Sequence, residues 1–444
     1  MLNILSHPTY RALFAAQIVA LIGTGLATVA LGLLAYELAG ADAGVVLGGA
    51  LAIKMVAYIG VGPVANAFTD RVPRKALLVS MDLIRAAVAL LLPFVDQVWQ
   101  AYVLIFVLQS ASAAFTPTFQ AIIPDVLPEE AEYTRALSLS RLAYDLESVI
   151  SPILAAALLT VISFNWLFSG TAVGFLGSAA FVLSAAVPTI TRSGTRRGIY
   201  DRTTRGVRIY LRTPRLRGLL ALTLAAAAAG AFVIVNTIVL VRVELERPAN
   251  DVAIALAAFG GGSMVAALLL PRLLDRSPDR PVMLMSASLL VLGLLATAAL
   301  LAASGTDRWL TVLVLWPVLG LAYSAVQTPG GRLLRRSSTA EDRSALFAAQ
   351  FALSHGCWLV TYSVAGWVGA RAGLPATALA LAAIGSVGLA AALLGWPRHD
   401  PEVIEHVHRD LTADHPHLRD APDGRHAHAF VIDDAHQTWP RPGV

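Results

Sequence analysis

The stretch Thr69-Asp70-Arg71-Val72-Pro73-Arg74-Lys75 returns 205 residues later as Leu274-Asp275-Arg276-Ser277-Pro278-Asp279-Arg280. Both read Asp-Arg-x-Pro leading into a base, and each follows the second long apolar run of its half of the chain. A second echo joins Thr116-Pro117 and Arg135 to Thr328-Pro329 and Arg343. Features matched at matched depth predict an internal repeat of two related halves.

Outward from these loops, the chain is dominated by apolar runs. It is 57% hydrophobic and 14% charged, whereas a soluble domain carries roughly a quarter of its residues charged. A helix needs about 20 mostly apolar residues to cross a bilayer. Runs of that kind occur at 12–36, 44–67, 76–95, 100–121, 142–162 and 164–188. After a basic interruption they recur at 218–241, 252–271, 282–303, 309–329, 344–370 and 374–397. The expectation is an all-α membrane protein of twelve transmembrane helices in two pseudo-symmetric six-helix halves. Its parts are an N-terminal half (1–190), a basic central loop (191–217), a C-terminal half (218–397) and a histidine-rich tail (398–444). The first run is too long for a signal-peptide core and reads as a span that stays.

Arginines and lysines sort by side. With the N-terminus inside, the cytoplasmic segments before the tail hold 22 of them and the outer loops hold 4. The positive-inside bias therefore places both termini in the cytoplasm. The net charge of +4 sits in loops between spans rather than in one patch, so a bilayer, not nucleic acid, is the expected partner. A single cysteine, Cys357, excludes an internal disulfide or a cysteine-based zinc site. No phosphate-binding Walker loop and no nucleophile–base arrangement is present, so neither an ATP-driven pump nor an enzyme is expected.

The segment from Gly62 through Asp70, Arg71, Arg74 and Lys75 resembles the signature loop of the major facilitator superfamily, with Asp275, Arg276 and Arg280 as its counterpart. Within that superfamily the chain is similar to the branch of macrolide-efflux, enterobactin-export and nickel-resistance proteins, which share a variant of Met81-Asp82-Leu83-Ile84-Arg85-Ala86. The resemblance covers Arg11 to about Pro397. It implies alternating access about a central site, export as the direction, and proton coupling in the bacterial cytoplasmic membrane. Span five departs from the antiporter pattern: Ser151-Pro152-Ile153-Leu154-Ala155 stands where many antiporters have Gly-Pro-x-x-Gly-Gly.

Ionisable residues inside spans are costly and are candidates for function. Lys54 lies mid-span, as a substrate or proton-coupling group or as the partner of an acid on another helix. Asp82 with Arg85, and Arg141 with Asp145, have helical pair spacing and are expected to be structural charge clamps. Glu147 lies deeper in span five and corresponds by the repeat to His355 in span eleven. The two are expected in the transport pathway; the alternative is a hydrogen-bonded His355 packed against Trp358. Trp358, Tyr362 and Trp367 would line a cavity or anchor span eleven at the interface.

Eight of the ten histidines fall in the last 46 residues. His406, His408, His415, His417, His426, His428 and His436, with interspersed acids, suit loose binding of nickel, cobalt or zinc, and no cofactor is otherwise required. The tail reads either as a flexible segment that orders on binding or as a latch on the cytoplasmic face. The favoured cargo from sequence is a divalent transition-metal cation such as nickel or cobalt. An organic solute is the first rival, and a non-transporting receptor or scaffold is a rival of another class.

Overall fold

In the bilayer core each backbone amide must be satisfied within its own helix, and the apolar runs comply. The computed structural model describes residues 2–39, 43–68, 72–188, 198–302, 308–407 and 425–440. The first half consists of α1 (Pro8–Ala39), α2 (Ala43–Phe68), α3 (Arg74–Leu91), α4 (Val98–Val126), α5 (Glu130–Leu159) and α6 (Asn165–Ser184). A short helix, α7 (Ile199–Arg212), precedes the second half. The seventh span is composite: α8 (Pro214–Ala231) runs through wider π-helical turns at Phe232–Asn236 and Leu240–Glu244 that flank α9 (Thr237–Val239). Then follow α10 (Ala249–Leu274), α11 (Asp279–Ala302), α12 (Arg308–Gln327), α13 (Gly330–Arg336) and α14 (Arg343–Gly395).

Among the described residues, eleven helical units are long and apolar enough to cross a membrane. The last, α14, has 53 residues, which at 1.5 Å per residue is about 80 Å, far more than one crossing of about 30 Å. It bends at Gly373, whose φ of 80° is open to glycine and strained for other residues. Pro375 follows inside the second arm. The two arms are spans eleven and twelve, which completes the expected twelve.

The repeat is visible in the packing. Span one meets span six at glycines: a Cβ on Gly174 would lie 2.9 Å from the Gly23 Cα. Span seven meets span twelve in the same way, where a Cβ on Gly388 would fall 2.3 Å from the Ala221 carbonyl oxygen. Lipid offers no hydrophobic drive to bring helices together, so close approach at small residues supplies the contact instead. Ala225 through Ala229 of α8 are completely buried in this core.

Two elements differ from the sequence expectation. Helix α5 begins at Glu130, twelve residues before the apolar run at 142. Its first turns are amphipathic, with Tyr133, Ala136 and Leu139 buried in a core shared with α1 and α4, so a hydropathy run misses them. The basic central stretch is not only loop: α7 forms within it, turning Ile209 and Tyr210 inward, Arg208 and Arg212 outward, and Arg205 along the seam. A Cβ on Gly206 would lie 2.0 Å from the Ala345 carbonyl oxygen, so α7 lies directly on the start of α14.

Within the tail, β1 (Val403–Val407) and β2 (Arg425–Ala429) pair antiparallel, with His406 opposite His426. The chain then returns across α7 and α8, burying Phe430 and Ile432. Of the two readings of the tail, its described residues take the docked one, because these apolar anchors sit within an otherwise polar sequence. The loops rich in arginine, α7 and the tail share one side of the molecule, called the basic face below.

Candidate functional site

The residues singled out inside the spans converge from both halves. α2 contributes Lys54 and, one turn on, Tyr58; α14 contributes Phe351 and, one turn on, His355. The Lys54 Nζ lies 5.4 Å from the Tyr58 ring centre. The Tyr58 ring stands edge-on to His355 at 4.6 Å and tilts against Phe351 at 4.8 Å, and Phe351 and His355 are 4.3 Å apart. The His355 Nδ1 is 2.7 Å from the Phe351 carbonyl oxygen. A carbonyl only accepts, so Nδ1 holds the hydrogen of the neutral ring and Nε2 is left as an acceptor.

Glu147 arrives from α5. Its Oε1 and the Ser151 hydroxyl crowd the backbone of Gly25 on α1, where a Cβ would fall 2.5 Å from the carboxylate and 2.1 Å from the hydroxyl. Glu147 and His355 each lie within charge-interaction range of Lys54, so Lys54 is the group they have in common. All three are partly exposed rather than sealed in the protein. Gly25 was not singled out in the sequence, since a glycine in a glycine-rich apolar run carries no local mark.

The other charged pairs hold the scaffold. Asp82 and Arg85 form an ion pair inside the first half, and Ser178 donates to Asp82 at 2.8 Å. The Arg85 guanidinium lies between the rings of Phe115 and Phe175, at 4.2 and 4.4 Å. Arg141 and Asp145 pair at 2.8 Å. Ser263 of α10 donates to Asp145 at 2.6 Å, and Arg141 lies 4.8 Å over the Tyr323 ring of α12. This pair therefore ties α5 to the opposite half. Trp358 packs on Tyr362 and Tyr323 rather than on His355. Trp367 is exposed beside Arg371, as an interfacial anchor would be.

At the basic face the halves are joined by two ion-pair relays of opposite sign. In the first, Arg74 at the start of α3 pairs with Asp125 near the end of α4 at 2.7 Å, and Asp125 also pairs with Arg343 at the start of α14. In the second, Asp279 at the start of α11 pairs with Arg332 of α13 at 3.2 Å, and Arg332 pairs with Glu130 at the start of α5 at 2.5 Å. Base–acid–base in one half answers acid–base–acid in the other. Arg74 also donates to Ser344 at 2.9 Å. Of the signature-loop residues, Lys75 donates to the Ala185 carbonyl at 2.9 Å and Arg280 to the Trp396 carbonyl at 3.1 Å. A Cβ on Gly62 would meet the Phe351 ring at 3.7 Å. Asp275 and Arg276 are exposed at the end of α10, while Asp70 and Arg71 lie outside the described residues.

The docked tail adjoins these ion pairs. Arg205 of α7 grips Asp342 with two hydrogen bonds, at 2.5 and 2.8 Å, and Asp434 of the tail with a third at 2.7 Å. Burial alone would lower the Arg205 pKa, but the two carboxylates outweigh it and push it up. Of the tail histidines, His406, His426, His428 and His436 gather in one cluster. His408, His415 and His417 lie outside the described residues. Burial, with His436 and His428 close by, holds His406 below its ordinary pKa. Burial opposes ionisation of Asp433, yet the His436 ring and the amides of Ala435 and His436 keep it below the usual carboxylate range.

Twelve crossings in two related halves, with ionisable residues inside the spans and ion pairs joining the halves at one face, have the architecture of a membrane transporter. The description "Major Facilitator Superfamily" matches residues 13–246 and 220–422. The chain belongs to that superfamily and is a multi-pass protein of the cytoplasmic membrane. It is 25% identical to macrolide efflux protein A of Streptococcus pyogenes over 336 residues, covering 72% of this chain and 80% of that one. The Enterococcus faecalis protein of the same name is 25% identical over 304 residues, 64% of this chain and 90% of that one. Among solved structures, the human organic anion transporter MFSD10 superposes with a TM-score of 0.74 at 13% identity, covering 87% of this chain and 99% of that one. A bacterial homologue of the iron transporter ferroportin in its outward-facing state gives 0.70 at 14% identity, covering 87% and 97%. At that identity these structures bear on fold alone.

Proposed function

We propose that this protein exports a small organic solute in exchange for protons, with the basic face on the cytoplasmic side. What supports the reading is the convergence of Lys54 and His355 on Tyr58 and Phe351 where the halves meet, with Glu147 within charge-interaction range of Lys54. Aromatic faces suit an amphipathic cargo. Glu147 and His355 are groups that can give up or take a proton as the site passes from one side of the membrane to the other. The macrolide-efflux relatives support an organic cargo exported outward.

A transition-metal cargo is the second reading, favoured by the tail histidines. Lys54 weighs against it in the central site, because an ammonium beside the pathway repels a dication. Everted membrane vesicles energised with a proton gradient separate the two. Macrolide-class and other amphipathic solutes are expected to accumulate and to dissipate the gradient, while nickel, cobalt and zinc leave it unchanged. Gradient-dependent uptake of a metal ion with no response to any organic solute would reverse the order.

A further inference from the structure

The tail carries a ligand set that the central pathway does not use. His426 and His428 are two apart on β2, so both side chains project from one face of the strand, and His406 stands opposite His426 on β1. The returning chain brings His436 against them. One potential ligand atom from each of the four residues lies within 4.8 Å of the other three. His406 and His436 are buried, and His426 and His428 are partly so.

The hydrogen bonds around three of these rings decide which nitrogen carries the hydrogen. The His406 Nδ1 lies 2.9 Å from the Ile404 carbonyl oxygen, and the His428 Nδ1 lies 2.9 Å from that of Ala429. The His436 Nδ1 lies 2.8 Å from Asp433 Oδ1, which also accepts from the amides of Ala435 and His436. Carbonyl and carboxylate oxygens accept, so each Nδ1 carries a hydrogen, and in the neutral ring Nε2 carries the lone pair. The His406 and His436 Nε2 atoms face each other at 3.0 Å. Two lone pairs at that distance repel unless a cation, either a proton or a metal ion, lies between them. Metal-binding rings are ordinarily tied through one nitrogen to a carbonyl or carboxylate in this way.

We propose that His406, His426, His428 and His436 form a binding site for one divalent transition cation, with zinc or cobalt preferred over nickel. A tetrahedral ion with metal–nitrogen bonds of about 2.0–2.1 Å sets its ligand atoms about 3.4 Å apart. The ligand atoms, which now lie within 4.8 Å of one another, draw closer together on binding. The site is distinct from a loose histidine-rich tail, since it draws on three separated pieces of chain and fixes them together. It fastens the hairpin to the turn at Asp433–His436, in which Asp434 holds Arg205 at 2.7 Å. Nothing in it depends on what the protein carries across the membrane.

The test uses the full-length protein, purified without a polyhistidine tag and stripped with chelator. Titration with cobalt chloride is followed by visible absorption, and titration with zinc chloride by calorimetry. One equivalent of cobalt is expected, with the intense visible bands of a tetrahedral site, and zinc displaces it. The double variant His406→Ala/His436→Ala loses that equivalent. Asp433→Asn retains all four rings and weakens binding by about 10- to 100-fold, so a folded, monodisperse Asp433→Asn protein keeps the test decisive if the double variant fails to fold. Zinc is also expected to slow tryptic loss of the tail several-fold in the wild type. No stoichiometric cobalt binding, bands of octahedral cobalt only, or full binding by the double variant would overturn the proposal. A metal cargo site between the halves would survive the double variant and so be told apart.

Discussion

Asp125 is the acid shared by two arginines, Arg74 from its own half and Arg343 from the other, and the three side chains are 7 to 13% exposed. Asp125→Asn keeps the volume and removes the charge, leaving two mostly buried guanidinium groups facing each other without a counter-ion. Removing one partner of a buried ion pair typically costs about 3–5 kcal/mol. The lower end is apt here, since the residues keep a little contact with water. Only the arrangement with the halves joined at the basic face bears this cost. A change of about 3 kcal/mol shifts the closed-to-open ratio of that gate on the order of 100-fold, enough to bring a 99:1 mixture to near equality. Spin labels at the exposed residues Glu129 and Arg276, in a Cys357→Ser background, would report the separation of the two halves. The wild type is expected to give one short distance, and Asp125→Asn a second, longer population of comparable weight. A folded Asp125→Asn protein with the wild-type distance distribution would refute the assignment of the relay to the gate.

Three further outcomes are expected. Glu147→Gln and His355→Ala variants that reach the membrane should lose at least about 10-fold in proton-driven transport, on the scale of a lost proton-transfer group; wild-type rates would remove both from the pathway. Arg85→Lys should be nearly as damaging as Arg85→Ala, with thermal unfolding of the detergent-solubilised protein lowered in both. The planar guanidinium between Phe115 and Phe175 has no equivalent in a lysine, so rescue by lysine would count against the stacked geometry. Gly388→Val should cost about 3 kcal/mol or more by forcing apart helices whose backbones nearly touch, visible as loss of a monodisperse peak, whereas Gly395→Val, with open space at its Cβ, should be tolerated.

Much of the architecture lies in local sequence because the bilayer reads local sequence. A run of about 20 apolar residues is a span whatever surrounds it, so Asp70 and Asp275 could mark two halves before any contact was known. The Arg141–Asp145 pair was legible for the same reason, since helical geometry alone brings residues four apart together. Other features depend on neighbours distant in sequence. Helix α7 is amphipathic and too polar to register as a span, and it is held by Asp342, just before α14, and by Gln350 of α14. Ser263 completes the Arg141–Asp145 pair from 118 residues away. Lys54 could be seen as costly, but that it is the neighbour of both Glu147 and His355 follows only from how α2, α5 and α14 cross. The relays of inverted sign were likewise hidden, because each joins the ends of three helices.

The sequence alone therefore determined twelve crossings, their division into six and six, and the residues too polar to lie in a membrane without a partner. Each of these follows from the free energy of moving one short segment from water into lipid. The tertiary structure decided which partners those residues have, which arginines join the halves at the basic face, and which of the tail's described histidines meet. Those are matters of helix packing and chain return, set by close contacts such as Gly174 on Gly23 and Gly388 on Ala221, and no single segment encodes them.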